Sequence, residues 1–316
     1  MEQTREDGAG GQVDVAVAGN AVVDIFVRGG AETGARARAV DAWGPATQLL
    51  GRPIELLLGG CGAAAAYVLG RLGARVILNS NIGDDALGGL LRTWLADAGV
   101  VLLAGGSPRA SAAHVVHLDD GGRRRSSYYT GDRVPWERSA AGPAAPWLLA
   151  AGHGGVAARD TDELAALFAS LRARGTKVAF DPSPWFAGRA DAEQMGRLWR
   201  QVDVLVGTGE ELGHWHRGDS PLALARGLCA AGPQVVVLKQ GPEGATYATR
   251  SGDAGHQPAA PVPGANSVGA GDTFNARLVA GLSRGEGLAA AVGHVVSLAT
   301  QVVRRGRGAL GAFEES

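Results

Sequence analysis

Residues 264–274 read Gly-Ala-Asn-Ser-Val-Gly-Ala-Gly-Asp-Thr-Phe, and they carry the strongest structural and chemical signal in the chain. Apolar and small residues alternate from Thr273 to Leu282, as in an amphipathic helix. A helix that begins with small residues exposes unpaired N–H groups, and its dipole adds positive charge, so it binds anions such as phosphate. Asp272 would repel a bound phosphate, but it can take a proton from a hydroxyl that attacks the phosphate. The stretch therefore predicts phosphoryl transfer.

The composition allows a large hydrophobic core and argues against several classes of protein. The chain has 316 residues, of which 46% are hydrophobic and 19% charged, with a net charge of −1 and no basic stripe. No apolar run is long enough to span a bilayer, and the first residues lack a hydrophobic signal core. Two cysteines, Cys61 and Cys229, form neither a disulfide framework nor a metal cluster. We expect a cytoplasmic enzyme without nucleic-acid or membrane partners, and a disordered tail at residues 1–12.

Short apolar segments alternate with helical segments along most of the chain. Strands are expected at residues 13–18, 75–79, 100–103, 147–151, 177–180, 204–206 and 235–238. Helices are expected at residues 62–72, 84–98, 160–174, 192–202 and 221–231. This alternation predicts an α/β fold whose mostly parallel sheet is covered by helices on both faces.

One region departs from this alternation. Residues 112–119 and 123–130 alternate in polarity around Gly121-Gly122, which is typical of a β-hairpin. Together with extended segments at 22–27 and 54–58, the hairpin predicts a small separate sheet. Its parts fall within about residues 20–58 and 110–131.

The known phosphate-binding motifs of other kinase classes are missing. The sequence contains neither the P-loop pattern G-x-x-x-x-G-K-[ST] nor a protein-kinase catalytic loop. Gly59-Gly60-Cys61-Gly62 lies between a strand and a helix, but alanines follow it, so the spacing of a dinucleotide-binding loop fails.

Two separate segments give the chain a family resemblance. Residues 266–274 are similar to D-T-x-G-A-G-D-x-F, the C-terminal signature of the ribokinase-like (PfkB) carbohydrate kinases. The N-terminal signature of that family resembles Gly59-Gly60, Leu-Gly-Arg-Leu-Gly at 69–73 and Asn-Ile-Gly-Asp-Asp-Ala-Leu-Gly at 81–88. The similarity runs from about Val13 to Ala309. It implies a single kinase domain over residues 1–316, folded as a three-layer sandwich with a central mostly parallel sheet and a small β-sheet lid.

The resemblance also implies roles for individual residues, with ATP and Mg²⁺ as cofactors. Asp272 matches the catalytic base, and Gly269, Ala270 and Gly271 match the anion hole for the transferred phosphoryl group. Residues expected to contact the substrate are Asn20, Asp24, Gly59, Gly60 and, on the lid, Arg123 and Tyr129. Asp24 suits this role because a carboxylate accepts two hydroxyl hydrogen bonds. Strand alternation turns one of Tyr128 and Tyr129 inward and the other outward.

A second group of residues is expected around the nucleotide. Its members are Thr208, Glu211, Lys239, Gly241, Gly244, Asn266 and His294. By resemblance, Glu211 organises magnesium through water, Gly241 and Gly244 form the turn near the ATP phosphates, and His294 lies beside adenine. Lys239 is one of only two lysines in the chain, which favours a phosphate contact.

Four positions depart from the family pattern. Ala64 replaces an asparagine that contacts the substrate, and Thr208 replaces the asparagine of an N-x-x-E motif. Asn266 and Val268 replace an aspartate and a threonine of the C-terminal signature. Because an amide binds cations more weakly than a carboxylate, we expect potassium activation to be weak or absent.

The sequence predicts a kinase that phosphorylates a sugar or a sugar acid. Two alternatives stay open: a nucleoside kinase, in which Tyr128 or Tyr129 stacks on a base, and a catalytically silent protein that binds a sugar or a nucleotide. The resemblance also implies a homodimer formed through the lid, because an open sheet needs covering.

Overall fold

A computed structural model describes residues 12–29, 50–119, 123–152, 157, 159–262 and 267–313. Of the expected tail at residues 1–12, only residue 12 is described; Gly121-Gly122 of the hairpin and Asn266 also lie outside the described residues. The strands are β1 Val15–Gly19, β2 Val22–Arg28, β3 Glu55–Gly59, β4 Val76–Asn79, β5 Val101–Leu102, β6 Ala112–Leu118, β7 Arg124–Tyr129, β8 Trp147–Ala151, β9 Lys177–Asp181, β10 Val204–Thr208, β11 Val235–Lys239, β12 Ala245–Thr249 and β13 Ala254–Gln257. The helices are α1 Cys61–Arg71, α2 Ala86–Asp97, α3 Arg138–Ala141, α4 Asp160–Ala173, α5 Ala192–Trp199, α6 Gly209–Leu212, α7 Pro221–Ala231, α8 Ala270–Ser283 and α9 Leu288–Arg305.

Nine strands form a large sheet in the order β13-β12-β11-β10-β9-β8-β1-β4-β5. The strands from β5 to β11 are parallel; at one edge β12 pairs antiparallel with β11, and β13 pairs antiparallel with β12. The mostly parallel sheet is confirmed. Strands β12 and β13 were not predicted from the sequence, because residues 245–257 mix small and polar side chains and lack the apolar run of a buried strand.

Helices cover both faces of this sheet, which gives three layers. On one face Val17, Leu149 and Val206 pack into a core with α1, α2, α8 and α9. On the other face Leu148 and Phe180 pack with α4, α5 and α7. Neighbouring strand residues thus alternate between the two cores, as the pleat requires. No helix in the described part of the chain is long and apolar enough to cross a membrane.

Four strands form the predicted small sheet, in the order β3-β2-β6-β7. Strands β2, β6 and β7 fall inside the two expected segments, 20–58 and 110–131, and β3 extends one residue past the first of them. On one of its faces Phe26, Leu57 and Val116 form a small core that packs against Leu310. This inner face therefore looks toward the body of the molecule, and Asp24, His114 and Tyr128 lie side by side on it.

A close backbone contact fixes α1 against β1. A Cβ added at Gly62 would lie 2.4 Å from the carbonyl carbon of Gly19, and a Cβ at Gly19 would lie 2.8 Å from Gly62. Because both contacts are with backbone, neither can relax by a side-chain rotation. Glycine at both positions lets α1 begin directly beside the C-terminal end of β1.

We expect Gly62→Ala to lower the free energy of unfolding by about 1–3 kcal/mol, because the methyl group forces α1 away from β1. The matched control is Gly89→Ala in α2, where an added Cβ has no heavy atom within 4 Å. That control should stabilise the protein by roughly 0.5–1 kcal/mol, since alanine loses less backbone entropy in a helix. Urea denaturation of both variants measures the difference. Equal stabilities would contradict the close contact.

Candidate active site

The helix α8 begins at a left-handed glycine. Gly269 has φ 75° and is the N-cap of α8, so Ala270, Gly271 and Asp272 form its first turn. A Cβ at Gly269 would lie 2.8 Å from the backbone nitrogen of Ala309. Both the backbone conformation and the lack of space therefore require glycine there. The small residues Gly269, Ala270 and Gly271 and the carboxylate of Asp272 thus follow one another at a helix start, in the predicted order.

A cavity of about 280 Å³ opens beside this helix start. Its lining is mostly apolar and includes Lys239, Gly241, Pro242, Gly244, Ala259, Ala260, Val262, Ser267, Ala270, Gly271, Phe274, Val296, Ala299, Thr300 and Val303. Gly241 and Gly244 have φ values of 57° and 96°, so this turn also favours glycine. The cavity can hold a ligand with a flat apolar end and an anionic end that points to α8.

The structure does not bring His294 to this cavity. The lining residues of α9 are Val296, Ala299, Thr300 and Val303, which form one stripe of the helix. His294 lies on another side of α9, where it is exposed and its Nδ1 is 3.0 Å from Oε2 of Glu286. The expected contact with adenine is corrected: apolar side chains of α9, and not His294, line the cavity.

Asp272 is partly buried and has an unusual electrostatic environment. Burial, opposed by the charge of Lys239 and helped by the carboxylates of Asp181, Asp24 and Glu211, raises the pKa of Asp272 to about 7 in total. An acid with such a pKa can hold or release a proton near neutral pH. These interactions also place residues from β2, β9, β11 and α6 around one carboxyl group.

Asp181 was not expected at the site. It ends β9, and its Oδ2 accepts hydrogen bonds of 2.7 Å from Nζ of Lys239 and from Nδ2 of Asn275. Burial alone would raise the pKa of Asp181, but the charge of Lys239 and the hydrogen bonds lower it below the usual value. Lys239 lines the cavity as expected, and Asp181 is its ion-pair partner.

Asp24 and the two glycines of β3 and α1 meet on the inner face of the small sheet. Asp24 is buried, and its Oδ1 lies 3.0 Å from Nδ1 of His114. A Cβ at Gly59 would lie 2.2 Å from Oδ2 of Asp24, so only glycine leaves room for this carboxylate. Gly60 has φ 80° and is the N-cap of α1. His114 was not predicted from the sequence, because only the β2–β6 register sets it beside Asp24.

Asn20 connects the small sheet to the start of α1. It is only 1% exposed, and its Oδ1 accepts a hydrogen bond of 3.1 Å from the backbone N–H of Cys61. Its Nδ2 donates a hydrogen bond of 3.1 Å to the hydroxyl of Tyr128. Asn20 therefore lies in the predicted cluster, where it orients Tyr128.

The inward tyrosine is Tyr128, and the expectation for Tyr129 is corrected. The Tyr128 ring makes an edge contact with His114 at 5.4 Å between ring centroids and a tilted contact with Trp185 at 6.1 Å. Tyr129 is 48% exposed on the outer face. The register of β7 on β6 causes this, because it pairs Tyr128 with His114, the neighbour of Asp24.

The structure also places Arg123 away from these residues. Arg123 precedes β7 and bonds the exposed carboxylate of Asp119 through its Nε at 3.1 Å. At about 3.4 Å per strand residue it lies roughly 17 Å along the chain from Tyr128. Arg123 therefore pairs with Asp119 at the exposed surface and makes no contact with Asp24 or His114.

Thr208 and Glu211 form a reciprocal cap at the start of α6. The Thr208 hydroxyl accepts a hydrogen bond of 3.1 Å from the Glu211 N–H, and Oε2 of Glu211 accepts one of 2.7 Å from the Thr208 N–H. Threonine can thus provide the capping oxygen that an asparagine would provide. Thr208 ends β10 and Glu211 follows three residues later, at the same end of the sheet where Asp181 ends β9 and Lys239 ends β11.

Comparisons with known proteins agree with this geometry. Residues 34–312 match the description "pfkB family carbohydrate kinase". A fructokinase from Klebsiella pneumoniae is 27% identical over 237 residues, which cover 71% of this chain and 76% of the fructokinase. A ribokinase from Arabidopsis thaliana, solved with ribose and ATP, has a TM-score of 0.73 at 17% identity, with 95% of both chains covered. An adenosine kinase from Sinorhizobium meliloti has a TM-score of 0.74 at 18% identity, covering 93% of this chain and 94% of its own.

Proposed function

The chain belongs to the pfkB family of carbohydrate kinases, and we propose that it transfers the γ-phosphoryl group of ATP to a hydroxyl of a small sugar or sugar acid. The observation that carries the proposal is the position of Asp272. It lies at the start of α8, beside a cavity suited to a nucleotide and within electrostatic reach of Asp24.

ATP fits the cavity in one direction. The adenine would pack among Val296, Ala299 and the other apolar lining residues, and the phosphates would point to Lys239 and the first turn of α8. The described residues contain no group of three or more His, Cys, Asp or Glu side chains that could hold a metal ion. Since Mg²⁺ usually keeps several waters and binds substrate phosphates, Glu211 suffices to hold it through water. Magnesium would neutralise charge on the phosphates.

Different residues of the chain would then orient the acceptor, take up its proton and stabilise the developing charge. Asp24, supported by His114, accepts hydrogen bonds from substrate hydroxyls and so orients the acceptor. Asp272 takes the proton from the attacking hydroxyl. The first turn of α8 stabilises the charge that develops on the transferred group. The small sheet covers the acceptor and excludes water, which limits hydrolysis of ATP.

The catalytic rate should fall as the pH is lowered through about 7. The pKa of Asp272 is raised to about 7, mainly by burial, and only the ionised carboxylate can accept the proton. Below this value kcat/KM should decrease about tenfold for each pH unit. A pH profile measured with saturating ATP provides the check, and a flat profile between pH 5 and 7 would exclude Asp272 as the base.

A panel of acceptors tests the function. Sugars, sugar acids and nucleosides are supplied with ATP in a coupled assay for ADP. Turnover of a sugar or sugar acid supports the proposal. Turnover of nucleosides alone favours the second candidate, which the Tyr128 and Trp185 rings support because they could stack on a base. Binding in a thermal-shift screen without turnover of any acceptor would favour a silent binding protein.

We also propose that the chain forms a homodimer through the outer face of the small sheet. On this face Leu56 and Tyr129 are 43% and 48% exposed, whereas Ile25, which the β2–β3 pair sets beside Leu56, packs against the main core. An apolar face on a four-stranded sheet is a surface that a second copy can cover.

In sedimentation experiments the unmodified protein should be a dimer and Leu56→Glu a monomer, because a buried carboxylate at the interface would have no partner. The control is Val101→Glu on the edge strand β5, where Val101 is 61% exposed, and this variant should remain dimeric. A monomeric unmodified protein would refute the interface.

A further inference from the structure

Three side chains from three elements converge behind the start of α8. Asp181 is only 5% exposed, and both of its oxygens have partners. Its Oδ1 accepts a hydrogen bond of 2.9 Å from the Ser183 N–H, and its Oδ2 accepts bonds from Lys239 and Asn275. With both oxygens engaged, Asp181 is suited to hold other residues and not to bind substrate.

The Lys239 ammonium stays charged beside a helix start: burial acts to lower its pKa, but the charge of Asp181 raises it above the usual value. Its Nζ lies 3.8 Å from the point where a Cβ on Gly271 would stand, so the cation is beside the first turn of α8. The N-terminus of a helix carries positive partial charge and disfavours a cation. A second positive group at this point makes sense when an anion binds between them. Asp181 offsets the cost of burying the ammonium in the absence of that anion.

We propose that Asp181 is a positioning residue, which holds the Lys239 ammonium beside the first turn of α8 so that it faces the transferred phosphoryl group and does not pair with Asp272. This inference rests on the proposed kinase function. The hydrogen bond to Asn275, in the second turn of α8, anchors the helix to the same carboxylate. One buried group thereby fixes the distance between the cation and the helix that carries Asp272.

The charges around Asp272 give the proposal a specific signature. The groups that act on it are Lys239 from β11, Asp181 from β9, Asp24 from β2 and Glu211 from α6, and it in turn acts on the Cys61 thiol of α1. Asp181 raises the pKa of Asp272, and Lys239 lowers it. When the charge of Asp181 is removed, only Asp24 and Glu211 still oppose the effect of Lys239 on Asp272. The pKa of Asp272 must then fall, which makes it a weaker base.

The experiment compares Asp181→Asn, Lys239→Met and the double variant with the unmodified protein. With the acceptor found in the panel, Asp181→Asn should lower kcat at least about tenfold and move the acid limb of kcat/KM to lower pH by about one unit. The two substitutions should be non-additive, because the first removes the partner of the second. The control is Asp203→Asn. Like Asp181, Asp203 forms an ion pair with a basic side chain, here Arg172, but it lies next to the start of β10. This variant should leave kcat and the acid limb of kcat/KM unchanged.

A titration separates this proposal from the kinase proposal. The infrared difference spectrum between the unmodified protein and Asp272→Asn reports the ionisation of the Asp272 carboxyl group without any acceptor. If no acceptor is turned over but Asp181→Asn shifts this titration to lower pH, the kinase function fails and the positioning stands. A lower kcat with an unshifted titration and additive substitutions would reduce Asp181 to a structural residue and overturn the proposal. Circular dichroism confirms that each variant is folded.

Discussion

Asp272→Asn should lower kcat by about 10²–10⁴-fold, because an amide cannot accept the proton of the attacking hydroxyl. Binding of ATP should change little, since the cavity is lined by other residues, among them Lys239, Gly244 and Phe274. Steady-state kinetics with the acceptor from the panel, together with calorimetric titration of a non-hydrolysable ATP analogue, measure both quantities. Near-normal turnover of the variant would contradict the assignment of Asp272 as the base.

The same substitution should make the protein more stable at pH 8. The pKa of Asp272 in the folded protein, about 7, lies above its ordinary value of 3.8. The folded state therefore binds this proton more tightly than the unfolded chain, and the stabilisation is lost as the pH rises from about 4 to 7. Above pH 7 the buried charge destabilises the fold, and asparagine removes that charge. A variant that is both slower and more stable cannot be dismissed as misfolded.

A matched aspartate elsewhere provides the control for position in a helix. Asp162 is the third residue of α4, as Asp272 is of α8, and it is exposed with an ion pair of 3.3 Å to Arg197. Asp162→Asn removes the same favourable interaction with a helix dipole, worth about 0.3–1 kcal/mol. It should leave kcat unchanged. Equal losses of activity in both variants would attribute the effect of Asp272 to the helix and not to proton transfer.

The residues that sequence reasoning located are those with a local signal. The helix start at 269–272 and the turn at 241–244 are indicated in the sequence by glycines, whose backbone conformations there other residues rarely adopt. The alternation of strands and helices was equally local and predicted the large sheet, and the hairpin pattern around Gly121-Gly122 predicted the small one. Asp24 and Gly59 were located through the family resemblance, and the 2.2 Å approach between them supplies its physical reason.

The site residues that the sequence did not predict depend on which side of a strand or helix faces inward, or on contacts between residues far apart in the chain. Alternation along β7 predicts that Tyr128 and Tyr129 lie on opposite faces of the small sheet. Only the register of β7 on β6, which pairs Tyr128 with His114, determines which of the two faces inward. The position of His294 could not be predicted for the same reason, since packing sets the rotation of α9 about its own axis. Asp181 and Asn275 are 94 residues apart and meet only because β9 and α8 pack together. No local pattern encodes such a contact.

Gly59→Ala should lower kcat/KM for the acceptor by about 10²-fold while leaving the KM for ATP nearly unchanged. A methyl group at this position would lie 2.2 Å from Oδ2 of Asp24, so the carboxylate must move. Asp24 then loses its alignment with the substrate hydroxyls, and each hydrogen bond to a charged group is worth about 1.5–3 kcal/mol. The backbone of Gly59 has no positive φ, so strain in the chain itself does not explain the effect.

Combination with Asp24→Asn decides whether the glycine acts through the carboxylate. If the methyl group acts only by displacing Asp24, the double variant Gly59→Ala/Asp24→Asn should be little worse than Asp24→Asn alone, because the group to be displaced is already weakened. Additive losses would mean that Gly59 serves the substrate directly, through its backbone. Since Nδ1 of His114 holds Oδ1 of Asp24 from the other side, His114→Ala should add to either defect only while the carboxylate is present. The inner face of the small sheet would then bind the acceptor as one hydrogen-bonded unit, in which the glycine supplies the space and the histidine the orientation.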